Sequence, residues 1–221
     1  ILKKKCKKSK INVYDNYNSF DIIFKKKVDY TMNSIVGFAG LKPTLEIIKF
    51  TKQIAIANKE SIICGWNLIK KKSILNKTEI IPIDSEHFSI WSSLNELKIN
   101  ISTDLNKSIQ NLFITASGGP FRNTPLKNFK KISINQAIKH PTWKMGKKIS
   151  IDSATLVNKL FEVIEAQRLF SIDIDKISIK IHPQSYIHSI INFRDGLIKI
   201  CAHEPDMTIP IINSLDKNLY F

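Results

Sequence analysis

Cysteine is scarce in this chain. The three residues, Cys6, Cys64 and Cys201, are far apart and odd in number, and no C-x-x-C occurs, which excludes a disulfide framework or a zinc knuckle. Free thiols in a reducing compartment are the expectation. Glycine is almost as sparse. The seven, Gly37, Gly40, Gly65, Gly118, Gly119, Gly146 and Gly196, contain no G-x-G-x-x-G, so these residues carry no dinucleotide fingerprint of their own. No apolar run is long enough to span a bilayer, and there is no signal-peptide pattern. Acid is short against base: 19 Asp and Glu face 34 Lys and Arg, a net charge of +15. Such a balance is compatible with a polyanion partner. The lysines, however, gather unevenly at Lys3–Lys5, Lys25–Lys27 and Lys70–Lys72 within an Ile/Lys/Asn-rich composition. They are read as solvated faces and AT-rich codon usage rather than as a nucleic-acid site.

What is present is a globular chain of 221 residues, 43% hydrophobic, enough for one large domain or parts of two. It opens on Ile1 and closes on Tyr220-Phe221 without a final element, and the expectation is a piece of a longer protein. INVY and DIIF read as strand fragments. Pro43 fits the first turn of a helix running to about Phe50. Ile54–Ala57 read as a short buried strand that breaks at Asn58-Lys59-Glu60-Ser61, the geometry of a ligand-facing edge in α/β proteins or of a plain loop. Ile80, Ile81 and Ile83 form a strand that Pro82 places at an edge or an end. NLFITA is a buried strand ending in Ser117-Gly118-Gly119-Pro120, a weak anion cradle. KISIKIHP, SYIHSIINF and LIKICAH alternate as strands, with Arg194-Asp195-Gly196 as a hairpin turn. His182, His188 and His203 on them are read as structural.

The most informative stretch is 140–170. Asp152 and Ser153 are good N-caps, so a helix is expected just after them. Leu156, Leu160 and Val163 form one apolar stripe and Val157, Phe161 and Ile164 another, predicting a largely buried helix. One polar strip remains, Thr155, Asn158, Lys159 and Glu162. It is either an internal Lys159–Glu162 pair with a capped end or a face turned to a polar ligand, an anion at the helix N-terminus and a hard cation at Glu162. Asp84 and Glu86, at i and i+2, point the same way in extended backbone. They form either an exposed acidic turn capping a helix that starts near His87 or, with Glu162, an oxygen site for Mg²⁺ or Mn²⁺. His87 is read as structural. Trp143, in a loop, is a satellite core or a lid.

ANKES, PIDSEH, TASGGPFR, HPTWKMGKKISIDSATLVNK, IHPQSYIHS and EPDM occur in this order. With them the chain resembles the 1-deoxy-D-xylulose 5-phosphate reductoisomerase family of the non-mevalonate isoprenoid pathway, from about Val28 to about Ile211. The resemblance implies an α/β fold: the C-terminal part of a Rossmann-like NADPH-binding domain over residues 1–83, then an α+β catalytic domain with a mostly antiparallel sheet over 84–221. It implies Asp84, Glu86 and Glu162 as ligands of Mn²⁺ or Mg²⁺. Lys59, Ser85 and Glu86 would contact substrate beside the metal, and Ser117, Ser153, Asn158, Lys159 and Glu162 line the rest of the substrate pocket, mostly its phosphate end. His140 and Trp143 would belong to a mobile flap, His140 touching substrate as well. Asn58, Glu60, Gly146 and Met207 would lie near NADPH. Lys59, Glu86, His140 and Glu162 are the implied catalytic set.

The implied reaction has the metal chelate the substrate's carbonyl and hydroxyl oxygens, the skeleton rearrange to an aldehyde, and NADPH reduce it to 2-C-methyl-D-erythritol 4-phosphate. A homodimer through the C-terminal hairpin sheet is expected, with no nucleic acid or membrane partner. The composition looks apicomplexan, which would put the protein in the plastid (apicoplast); for any other source a soluble, cytoplasm-like compartment is the expectation. The family's N-terminal nucleotide fingerprint and C-terminal helical domain are missing, so these residues alone are expected to be inactive. Leu160-Phe161 replaces the relatives' common Gly-Leu, and repacking around Leu160 is expected. The rival readings are a basic nucleic-acid module, which leaves the three acids without a role, and a metal-dependent sugar-phosphate hydrolase, which leaves the ordered motifs unexplained.

Overall fold

The structure, a computed structural model, describes residues 14, 16–97, 105–140, 143 and 146–215. Its helices are α1 (Phe20–Ile23), α2 (Leu41–Ile47), α3 (Lys59–Asn76), α4 (Ser85–Glu96), α5 (Leu105–Ser108), α6 (Ile134–Ala137), α7 (Lys147–Ala154), α8 (Val157–Phe170) and α9 (Thr208–Leu215). Its strands are β1 (Val28–Asn33), β2 (Thr51–Ile56), β3 (Glu79–Pro82), β4 (Ile109–Ala116), β5 (Ile177–Ile181), β6 (Ile187–Phe193) and β7 (Ile198–Ala202).

Two sheets carry the architecture. The first is wholly parallel, in the order β1-β2-β3. Its middle strand buries Ile54, Ala55 and Ile56, the continuous apolar run that a strand covered on both faces requires. β3 is an edge, and Pro82, which has no N–H to give, closes it. The ladder runs one residue further, through Ile83 N–H to the Ile56 carbonyl at 3.2 Å. The second sheet has the order β5-β4-β6-β7. β4 pairs parallel to β5 and antiparallel to β6, and β6 pairs antiparallel to β7. The fold is thus α/β with a mostly antiparallel second sheet. One buried, isoleucine-rich core joins Ile54, Ile62 and Ile81 to Ile90, Ile114, Ala166 and Phe170. Each isoleucine or phenylalanine side chain in it contributes about 2 kcal/mol on burial.

The topology positions the site. β2 ends at Ile56, with Ala57 and Asn58 leading to Lys59, and β3 ends at Pro82, with Ile83 leading to Asp84. The carboxyl ends of two neighbouring parallel strands therefore deliver these residues side by side, where α/β sheets bind ligands. β4 ends before Ser117. β5, parallel to it, ends beside the same spot, with His182 N–H bonded to the Ala116 carbonyl at 2.7 Å.

Several expectations are corrected. Of DIIF, Asp21–Ile23 are helical, in α1, with Phe24 as its C-cap, because Phe20 and Phe24, four residues apart, must both turn onto Phe50, at ring separations of 6.0 and 5.6 Å. INVY falls outside the described residues apart from Tyr14, which lies in no helix or strand. α4 starts at Ser85, with Asp84 as its N-cap, so Asp84 and Glu86 do not lie on one extended segment. Asp152 and Ser153 do not cap the long helix. They lie in the last turn of α7, where Asp152 pairs with Lys148 at 2.6 Å, and the chain breaks at Leu156, whose φ is 61°. That break puts Thr155 outside α8, and Leu156, Val157 and Leu160 lie on the exposed side, Leu160 at 55%. Leu160 is not in the core, so its bulk calls for no repacking there. The inward face of α8 is instead Asn158, Lys159, Glu162, Val163 and Glu165. After Met207 the chain forms α9, which the sequence pattern did not indicate.

Candidate active site

Three helix N-termini meet. Lys59 opens α3, whose N-cap Asn58 accepts a bond from Ser61 N–H at 2.6 Å. Asp84, Ser85 and Glu86 open α4, and Asn158, Lys159 and Glu162 lie in the first two turns of α8. The positive ends of these helices favour carboxylates gathered between them. One oxygen from each of Asp84, Glu86 and Glu162 lies within 4.8 Å of the others.

Two ammoniums compensate the three acids. Lys59 Nζ bridges Asp84 Oδ2 at 2.5 Å and Glu162 Oε1 at 3.2 Å, and donates to Asn158 Oδ1 at 2.9 Å. Lys159 Nζ bridges Glu86 Oε1 at 2.6 Å and Glu162 Oε2 at 2.5 Å. Asn158 Nδ2 donates to Glu162 Oε1 at 2.5 Å, and Ser85 Oγ donates to Glu86 Oε2 at 2.7 Å. The internal Lys159–Glu162 pair and the inward-facing polar strip are therefore both real, and they are the same feature.

Burial opposes charge on both lysines, but Asp84 and Glu162 around Lys59, and Glu162 and Glu86 around Lys159, win and raise both well above the ordinary range. Burial also works against the Asp84 carboxylate, yet Lys59 holds it well below its usual range. Glu86 is the acid left over. Burial and then the charge of Glu162 push it up to about 7.

A further pair sits behind this trio. His87, fully buried, meets Glu165 Oε2 at 3.4 Å and Asp84 Oδ1 at 3.6 Å through Nδ1, and bonds the Glu162 carbonyl through Nε2 at 2.9 Å. Burial would lower its pKa, but Glu165 and Asp84 raise it to about 9. Burial raises Glu165 to about 7 against the pull of His87. Asp84, His87 and Glu165 also come within 4.8 Å of one another. Of the two sets, the all-carboxylate trio has the oxygen donors that a hard cation takes, whereas an imidazole nitrogen suits a softer ion. Reading His87 as merely structural missed that it ties Asp84 to the backbone of α8. Its signal was the i+3 spacing of His87 after Asp84 and of Glu165 after Glu162.

The trio opens onto a cavity of about 310 Å³, whose walls also include Ser117, His140, Trp143, Gly146, Ser153, Ser185 and Met207. Ser117 Oγ and His140 Nε2 lie 2.9 Å apart, and Trp143 N–H donates to His140 Nδ1 at 2.9 Å. A ring that accepts at Nδ1 carries its proton on Nε2. Burial, aided by Lys159, lowers the His140 pKa and keeps the ring neutral. Gly119 N–H also donates to Ser117 Oγ at 3.2 Å. At a φ of +69° a Cβ on Gly119 would stand 2.7 Å from the Ser153 carbonyl, so glycine lets this loop approach the end of α7. Trp143 sits edge-on to His188, with ring centroids 6.1 Å apart. His188 stacks on His203 at 3.8 Å, and burial and then His203 drop the His188 pKa to about 3.

The cavity thus brings together Lys59, Asp84, Ser85, Glu86, Ser117, His140, Trp143, Gly146, Ser153, Asn158, Lys159, Glu162 and Met207. It does not include Asn58 or Glu60. The Asn58 amide donates to the carbonyls of Ile35 and Gly37, and Glu60 pairs with Lys148 at 3.0 Å on the surface.

A family profile described as 1-deoxy-D-xylulose 5-phosphate reductoisomerase matches residues 1–65, and the profile of that enzyme's C-terminal domain matches residues 80–170. Among curated relatives, the reductoisomerase of Pelagibacter ubique is 55% identical over 217 residues, covering 97% of this chain and 54% of the relative. That of Clostridium tetani is 46% identical over 190 residues, covering 86% and 48%. The chain therefore spans about half the length of these relatives. Among solved structures, a DOX-P reductoisomerase in complex with NADPH, fosmidomycin and magnesium superposes with a TM-score of 0.86 at 36% identity, covering 97% of this chain and 54% of that one. The enzyme from Zymomonas mobilis in complex with NADPH gives 0.81 at 36% identity, covering 97% and 53%.

Proposed function

Because this chain belongs to the 1-deoxy-D-xylulose 5-phosphate reductoisomerase family, we propose that the full-length protein converts 1-deoxy-D-xylulose 5-phosphate to 2-C-methyl-D-erythritol 4-phosphate with NADPH and a divalent cation. The observation that carries the reading is the buried meeting of Asp84, Glu86 and Glu162 on a cavity that also holds Ser117, Ser153, Asn158 and Lys159. Residues 1–83 are read as the C-terminal part of the NADPH-binding domain and 84–221 as the catalytic part. The parallel sheet belongs to the first and the mixed sheet to the second.

Asp84, Glu86 and Glu162 would hold Mg²⁺, or Mn²⁺, and their all-oxygen donor set fits either. Bound there, the ion polarises substrate oxygens as a Lewis acid, and NADPH supplies the hydride. The chain's own residues do the rest. Lys59 and Lys159, kept cationic by their neighbours, hold the acids in register, and Lys159 with Asn158, Ser153 and Ser117 provides the phosphate end. Ser85, whose hydroxyl is bonded to Glu86, lies at the metal end of the cavity. His140 donates from Nε2, to Ser117 here and to a substrate oxygen when one arrives. Trp143 covers the cavity and excludes water. Gly146 and Met207, on the wall, would meet the nicotinamide side. Asn58 would act through the loop at Ile35 and Gly37 that it fastens, and Glu60 through Lys148.

A homodimer is proposed through the second sheet, supported by exposed Ile181, Tyr186, Ile198 and Ile200. No described helix is long and apolar enough to cross a membrane. A plastid location would hold only for an apicomplexan source. The relatives named above, Pelagibacter ubique and Clostridium tetani, are bacterial and lend it no support.

Full-length protein should oxidise NADPH on addition of 1-deoxy-D-xylulose 5-phosphate and Mg²⁺, and EDTA should stop it. Release of inorganic phosphate with no NADPH oxidation would overturn the reading in favour of a hydrolase.

A further inference from the structure

The loop between β5 and β6 holds a residue with two liabilities. Ser185 is only 5% exposed, and its hydroxyl has no hydrogen-bond partner among the described residues. Its φ of 59° is left-handed, a conformation a serine adopts at a cost. The turn is pinned by Ser185 N–H to the His182 carbonyl at 3.0 Å, and His182 N–H is in turn bonded to Ala116. This puts the loop beside Ser117 at the carboxyl ends of the parallel pair β4–β5. Ser61 and Ser189 are also buried with unpartnered hydroxyls, but they do not line the cavity, whereas Ser185 does.

A buried polar group without a partner and a strained backbone both weaken the fold, and they persist together where a ligand makes use of them. Given the substrate class argued above, on which this inference rests, we propose that Ser185 is a further substrate-binding residue: its hydroxyl takes a hydrogen bond with a hydroxyl group of the bound sugar phosphate. A serine hydroxyl both donates and accepts, as a substrate hydroxyl does, while a phosphate only accepts. The groups suited to the phosphate, Ser153, Asn158 and Lys159, come from α7 and α8, and Ser185 comes from the sheet side of the cavity. Among the described residues no side chain bonds the Ser185 hydroxyl, so the contact adds to the metal and phosphate subsites and selects for the polyol between them.

The test compares full-length wild type with Ser185→Ala and Ser185→Gly. Titration calorimetry with 1-deoxy-D-xylulose 5-phosphate in Mg²⁺, without NADPH, should show the Kd raised about tenfold in both variants. The Kd for inorganic phosphate should stay unchanged. Thermal melts of the unliganded proteins should show the Ala variant no less stable than wild type and the Gly variant equal or higher, because glycine adopts the left-handed φ freely. A hydroxyl with only a structural role would lower the Tm and leave the Kd alone, which would overturn the inference. A Kd within twofold of wild type, in protein that still turns the substrate over, overturns it while leaving the proposed activity standing. An equal loss of inorganic phosphate affinity overturns the assignment to a hydroxyl. Wild type that neither binds nor turns over the substrate overturns both.

Discussion

Replacing Glu162 by Gln in the full-length protein should lower kcat/KM about a thousandfold, or ~4 kcal/mol of transition-state stabilisation. Glu162 is the common partner of the site: both ammoniums reach it, Asn158 donates to it, and its backbone carbonyl bonds His87. Glutamine keeps the shape and one acceptor, so the fold survives. Lys59 retains Asp84 and Lys159 retains Glu86, and the loss in stability is about 1–3 kcal/mol rather than that of a stranded charge. What disappears is a third anionic oxygen for the cation. Burial and the charge of Glu162 together hold Glu86 near 7, so removing that charge lowers the Glu86 pKa, and the surviving pair of acids is a weaker, charge-poorer site. Initial rates of NADPH oxidation and the Mg²⁺-induced rise in Tm measure both effects. Activity within tenfold of wild type, with the Mg²⁺ response intact, would mean that this carboxylate does not hold the ion.

The second large effect is in pH. Glu86 and Glu165 have folded-state pKa values raised to about 7, and His87 has one raised to about 9. Each raised group binds its proton more tightly folded than unfolded. Its contribution is therefore complete below its ordinary pKa and drains away as pH climbs through the folded value. Above pH ~6.5 the histidines with lowered values, His140, His188 and His203, have mostly lost their protons in both states and add little slope. Metal-free protein should accordingly lose roughly 3 kcal/mol between pH 6.5 and 8.5, most of it from His87 facing Asp84 and Glu165. Mg²⁺ affinity should move the other way. The ion competes with the Glu86 proton, so the Kd should tighten about tenfold from pH 6 to 8. Melts in EDTA and calorimetric Mg²⁺ titrations across this range check the two slopes. A flat or rising Tm in EDTA, or an affinity indifferent to pH, would contradict the placement of these carboxyls in a dry, mutually repelling cluster.

Most of the fold was legible because its signals were local. The unbroken run in β2, the alternation of β6 and β7 and the Pro82 stop each follow from one strand's own surroundings. The choice of Asp84, Glu86 and Glu162 also followed from residue type, although the route was partly wrong: they meet through an N-cap and two helix N-termini, not along one extended segment. The α8 face was the hardest to read. A helical wheel assumes that apolar residues point inward, but this helix turns Asn158, Lys159 and Glu162 toward the cavity, buries Glu165 behind them against His87, and leaves Leu160 outside. A buried charged face is stable only when partners arrive from elsewhere, here Lys59 and Glu86, about 100 and 70 residues back. No window on α8 alone contains them. The break at Leu156 was hidden for a related reason, since the left-handed turn sits on a leucine and not on a glycine.

Anomalous diffraction at the manganese edge, from crystals of the full-length protein soaked in Mn²⁺, tests the central claim most directly. The account predicts one peak bonded, at about 2.0–2.3 Å, to an oxygen from each of Asp84, Glu86 and Glu162. A peak seated instead among Asp84, His87 and Glu165, or no peak near Glu162, would contradict it.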